Sequence, residues 1–183
     1  MRTFAVSVLT LAAALLFTSC GGKNEARSSC APDGAGTQAR RVSGPADLAY
    51  LTSVDVHETS CGDRIVFAFR DDARQAPGFR IAYEPAATAL VEDGSGAHVD
   101  AAGPAYLVLR LEPAATAEVS GDSLTFTYTG PRRLRPEGGR FVRDVVKSGD
   151  FEAVVSWVIG LPEERPFTVS TASSPPRLIL DVA

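Results

Sequence analysis

Apolar and polar residues alternate most strictly between residues 151 and 159. Phe151, Ala153, Val155, Trp157 and Ile159 fall on one face of an extended chain, and Glu152, Val154, Ser156 and Val158 on the other, because side chains in a strand point to opposite faces with period two. The same patterning, or enrichment in β-branched and aromatic residues, predicts strands at 50–58, 64–70, 79–84, 106–112, 124–129, 141–146, 166–171 and 177–182. The run Leu124-Thr125-Phe126-Thr127-Tyr128-Thr129 separates its faces most cleanly, apolar on one side and threonine on the other. Turn residues stand between the runs: Cys61-Gly62-Asp63, Ala76-Pro77-Gly78, Asp93-Gly94-Ser95-Gly96, Ala102-Gly103-Pro104, Ser120-Gly121-Asp122, Pro136-Glu137-Gly138-Gly139 and Ser173-Ser174-Pro175-Pro176. No stretch after residue 44 carries a helical stripe. Many short, evenly punctuated strands without an internal repeat predict an all-β sandwich or barrel, formed as one domain over residues 45–183.

The front of the chain is patterned differently. Met1-Arg2 precedes an uncharged, mostly apolar run at residues 4–17, shorter than the roughly 20 residues a membrane-spanning helix needs. It ends in small residues, which predicts an export signal over residues 1–19. Phe17-Thr18-Ser19-Cys20 resembles the lipobox of bacterial lipoproteins, with phenylalanine where leucine is usual. Acylation of Cys20 with two chains would give a stable anchor, since each buried methylene contributes about 0.8 kcal/mol. Residues 20–44 are rich in Gly, Ser, Ala and charge, without apolar periodicity. They read as a flexible tether holding the domain roughly 25–30 Å from the membrane. The expected location is the outer face of the cytoplasmic membrane.

Charge narrows the choice of partner. The full chain carries a net charge of −4 at pH 7, and removal of residues 1–19 takes away Arg2 alone among charged side chains, making it one unit more negative. An acidic protein of this kind is a poor nucleic-acid binder. If Cys20 is acylated, Cys30 and Cys61 remain as an even pair in an oxidising compartment, where a disulfide is the default. The alternative, a metal site, has two sulfurs and no neighbouring histidines, too few for zinc.

Several chemistries can be weighed on the residues alone. Gly121-Asp122-Ser123-Leu124 spells the motif of the GDSL esterases. Both histidines, His57 and His98, precede Ser123, so nothing downstream supplies the imidazole base that a serine nucleophile needs; a hairpin turn explains the string better. Two histidines in unrelated segments do not assemble a catalytic zinc site. Adjacent acids such as Asp71-Asp72 and Glu163-Glu164 point apart in an extended chain and make a poor glycosidase pair. Arg132, Arg133, Arg135, Arg140 and Arg143 form a basic cluster that could meet phosphate or carboxylate groups, or could be a solvated loop between strands. Trp157 could stack on a sugar, or fill the core as its place in the alternation implies. No catalytic residue, metal or cofactor is expected.

Six segments taken together resemble a known family: Asp63-Arg64-Ile65-Val66-Phe67, Pro77-Gly78-Phe79, Gly149-Asp150-Phe151-Glu152-Ala153, Trp157-Val158-Ile159-Gly160-Leu161, Pro166-Phe167 and Pro175-Pro176-Arg177-Leu178-Ile179-Leu180-Asp181-Val182. In this order they are similar to the AMIN-like domain of lipoproteins from high-GC Gram-positive bacteria, over residues 48–183. The resemblance implies a non-catalytic β-sandwich near the cell wall, with peptidoglycan as the expected ligand; an anionic wall polymer is the ligand the arginine cluster would suit. It supplies no binding residues to carry over. The competing expectation is a protein-interaction lipoprotein serving a membrane complex, which predicts an exposed apolar patch on the folded domain.

Overall fold

Alternate placement of β-branched and aromatic side chains gives most strands one apolar face, and the chain buries those faces by stacking two sheets. The computed structural model describes Cys30 and residues 32–183. The expected signal peptide and acylated Cys20 lie outside the described residues, as does most of residues 20–31 of the expected tether. The strands are β1 (Arg40–Val42), β2 (Ala49–Glu58), β3 (Asp63–Phe69), β4 (Gly78–Glu84), β5 (Ala105–Glu112), β6 (Ala114–Ala115), β7 (Ala117–Ser120), β8 (Ser123–Phe126), β9 (Arg133–Leu134), β10 (Asp144–Phe151), β11 (Val154–Leu161), β12 (Phe167–Ser173) and β13 (Pro176–Val182). One helical turn, α1 (Ala86–Ala89), interrupts them. A six-stranded sheet runs β1-β4-β5-β11-β10-β9, a five-stranded sheet runs β12-β13-β3-β2-β6, and β7-β8 form a separate hairpin. This is the expected all-β sandwich.

The inner faces meet in one core. Leu51, Ile65, Phe67, Leu178 and Leu180 from the five-stranded sheet face Ile81, Leu107, Leu109, Leu111, Trp157 and Ile159 from the six-stranded one. Trp157 is fully buried and takes edge-to-face contacts from Phe67 and Tyr128, with centroids 5.8 and 5.7 Å away. Its ring belongs to the core and offers no platform to a sugar. β5 and β11 are buried on both faces, because Ala89, Val99 and Ala101 from the segment after β4 cover Val108, Val146 and Val158 on the outer side.

Three expectations change. The run at 151–159 is two strands: Glu152 and Ala153 adopt φ of 51° and 60° and form a two-residue turn that pairs Phe151 with Val154. Mirror-image turns of this kind suit the strand twist, but neither residue is the Gly or Asn that marks them in a sequence. Phe151 ends β10 half exposed and does not join the core. The run at 124–129 is a strand only to Phe126, and its apolar face points outward, with Leu124 58% and Phe126 64% exposed; Tyr128 turns back into the core. Finally, part of the expected tether joins the domain. Gly36 exchanges backbone hydrogen bonds with Phe167, β1 pairs with β4, and Cys30 is disulfide-bonded to Cys61 with Cα atoms 4.8 Å apart.

Candidate functional site

The arginine cluster is split by the fold. Arg133 lies in β9, paired with β10 at the edge of the six-stranded sheet, so two residues of the expected loop, Arg133 and Leu134, are strand. Arg132 donates to Glu92 at 2.6 Å and to the Lys147 carbonyl at 3.1 Å. Arg133 donates to the Asp100 carboxylate at 3.2 Å and lies 3.6 Å from Asp144. Arg135 is 3.7 Å from the other oxygen of Asp144, and Arg140 is 3.6 Å from Glu58. Arg143 is exposed and makes no ion pair among the described residues.

Buried acids hold this region in place. Asp63, 1% exposed, accepts the backbone N–H groups of Arg140, Phe141 and Val142 at 3.0, 2.6 and 2.8 Å. A carboxylate accepting several backbone donors is satisfied although buried. Asp144, with no exposed surface, accepts the Ala102 N–H at 3.1 Å while its second oxygen has no hydrogen-bond partner among the described residues. The Ser95 hydroxyl, followed by Arg132, holds the Glu92 carboxyl below the usual glutamate range. These arginines therefore spend most of their charge on neighbouring acids.

A second set of arginines had no signal in the sequence. Antiparallel pairing places Arg41 of β1 opposite Arg80 of β4, and Arg80 opposite Arg110 of β5. Residues directly opposite share one face of a sheet, and Val108, the neighbour-but-one of Arg110, marks this as the outer face of the six-stranded sheet. Ser156 of β11 and Gly149 of β10 continue the row. There Asp93 closes it: Asp93 accepts the Ser156 hydroxyl at 2.5 Å, its N–H donates to Ser148, and a side chain on Gly149 would strike it.

The row differs along its length. Arg110 reaches Glu84 at 2.5 Å; burial opposes its charge, but the bond to Glu84 and the charges of Glu84 and Asp93 outweigh it and raise its pKa. Arg41 and Arg80 are exposed and have no side-chain partner among the described residues. They open onto a cleft of about 380 Å³ that Arg110, Glu112 and residues 43–44 also line. Its end wall is a close crossing of backbones, for a Cβ on Gly44 would lie 1.9 Å from the Gly78 nitrogen. The pattern that could have exposed this row is strand register, and the three arginines are 30 or more positions apart in sequence.

The remaining candidates are separated. Gly121-Asp122 is the turn of the β7-β8 hairpin and Ser123 begins β8. His57 lies on β2 of the five-stranded sheet, and His98 in the segment that pairs with Val91. No group of three or more His, Cys, Asp or Glu is poised for a metal among the described residues.

No curated protein and no solved structure matches the chain significantly. A family profile does: the AMIN-like domain matches residues 49–183, which run from the first residue of β2 through β13. The protein belongs to the AMIN-like domain family.

Proposed function

We propose that this protein is a non-catalytic binding module of the cell envelope, anchored through acylated Cys20 on the outer face of the cytoplasmic membrane and associated with peptidoglycan. The observation that carries this reading is the family match over residues 49–183, since AMIN-like domains are generally non-catalytic modules associated with peptidoglycan outside the cytoplasmic membrane. The lipobox-like Phe17-Thr18-Ser19-Cys20 supports the anchor. Co-sedimentation of the full chain with purified peptidoglycan tests the association, and loss of retention in the pellet would count against it. Labelling with radioactive palmitate tests the anchor; Cys20→Ala should abolish incorporation.

A second reading, an accessory subunit that docks on a membrane complex, has one observation in its favour. Val119 pairs with Leu124 and Ala117 with Phe126, so one face of the β7-β8 hairpin is apolar. That face is turned to solvent, with Val119 72% exposed, while Glu118 on the opposite face is pinned to Arg70 at 2.6 Å. Cross-linking from position 124 in whole cells should capture a membrane protein if this reading holds.

A further inference from the structure

Arg41 and Arg80 are two cations set directly opposite one another beside one cleft, with no carboxylate partner among the described residues. Like charges directly opposite on neighbouring strands destabilise a sheet, and Cα atoms of such pairs are only about 4.5–5.5 Å apart. Several other arginines are answered by carboxylates: Arg64 by Asp181, Arg70 by Glu118, Arg110 by Glu84, Arg132 by Glu92. Arg41 and Arg80 instead project beside a cleft whose end wall requires glycine at both 44 and 78. A pair of unneutralised guanidinium forks beside a shaped depression is suited to oxyanions, which arginine grips bidentately.

We infer that this cleft binds a short peptide carrying both a free carboxylate and a free amine, with Arg41 and Arg80 holding the carboxylate and Glu112 receiving the amine. The assignment rests on the peptidoglycan reading above and deepens it: the ligand class is the peptide stems of the wall. Glu112 decides for a zwitterion over a polyanion. It lies two residues beyond Arg110 on the same strand, hence on the same face, opposite Gly78 and at the cleft rim. With Glu84 on the same sheet face, it reduces the five charges of Arg41, Arg80, Arg110, Glu84 and Glu112 to a net of one positive unit. A phosphodiester polymer would gain little there and would meet an acidic protein beyond it. A peptide carboxylate beside its own amine matches both signs of charge.

The test uses the full chain in detergent micelles, titrated calorimetrically with peptide stems released from peptidoglycan by an amidase. Arg80→Glu should weaken binding by about tenfold or more, since it replaces one fork with a charge that repels the ligand carboxylate. Arg41→Ala should weaken it as well, and amidation of the peptide carboxylates should have the same effect on the ligand side. Arg143→Glu, an exposed arginine away from the cleft residues, should leave affinity unchanged. Equal binding by wild type and Arg80→Glu would overturn the assignment, as would undiminished binding of the amidated peptide. Displacement by sodium phosphate at concentrations equal to the peptide would overturn it in favour of a phosphate ligand. Peptidoglycan co-sedimentation separates the two levels of failure. If wild type and Arg80→Glu are both retained equally, the cleft assignment falls and the wall reading stands; if wild type itself is not retained, the wall reading falls.

Discussion

Two groups of arginines invite comparison. Arg132, Arg133, Arg135, Arg140 and Arg143 are neighbours in sequence and stand out in an acidic chain, yet four of them are paired with carboxylates, from Glu58, Glu92 and Asp100 of other segments and from the adjoining Asp144. Arg41, Arg80 and Arg110 are scattered through the sequence, and the register of β1, β4 and β5 sets them in one row with two cations unpaired. A run of like charge along a chain attracts compensating acids when the fold closes around it, because leaving it bare is unfavourable in a partly desolvated setting. Arg41 and Arg80, gathered across strands, stay without carboxylate partners beside an open cleft. The paired cluster and the open row thus reverse the order in which sequence density ranks them.

Each group of arginines depends on a support elsewhere in the fold. The largest effect is expected at Asp63, which ties the arginine-bearing segment to β3: Asp63→Ala leaves three backbone donors without their carboxylate and should lower unfolding free energy by about 3 kcal/mol. Urea denaturation measures this, and faster amide exchange at residues 140–142 should accompany it. Next is the disulfide, whose closed loop from Cys30 to Cys61 contains β1 and hence Arg41. Cys61→Ser should cost about 2–4 kcal/mol and weaken peptide-stem binding, while leaving the Arg132–Glu92 contact intact by NMR. If peptide binding were unchanged in that variant, β1 would be placed independently of the bridge.

Smaller effects sharpen the contrast. Arg140→Ala removes an exposed, 3.6 Å ion pair to Glu58 and should change stability by no more than about 0.5 kcal/mol, with peptidoglycan retention unaltered; a marked drop in retention would restore the sequence cluster as a binding surface. The subtlest signal is in pH. Glu92 is held below its ordinary range by Ser95 and then Arg132. A carboxyl depressed in the folded state contributes stability that is complete above its unfolded pKa, about 4.3 for glutamate, and is lost as pH falls through the lower folded value. The melting-temperature gap between wild type and Arg132→Ala should thus be full at neutral pH and narrow as acid protonates Glu92, leaving the part due to the bond to the Lys147 carbonyl; a gap that stays constant until the protein unfolds in acid would rule out Glu92 as the partner that matters.

Local pattern was sufficient for the existence and class of most elements. Alternation in β3 and β13 is legible residue by residue, because burial of one strand face imposes period two on the sequence, and the apolar residues around Trp157 already pointed it to the core. The cysteine pairing followed from counting and compartment. Long-range choices were not legible. Nothing local distinguishes Leu124 and Phe126, which face solvent, from Leu107 and Leu109, which are buried; the difference is whether a second sheet lies opposite. The reversal at Glu152-Ala153 lacks the residues that announce a turn, so two strands read as one. The arginine row is the clearest case, since only strand order and register bring residues 41, 80 and 110 side by side. The sequence by itself determined an all-β chain with alternating faces; which faces are covered, which charges are answered and which cleft stays open are properties of pairing between distant segments, and the tertiary structure decided them.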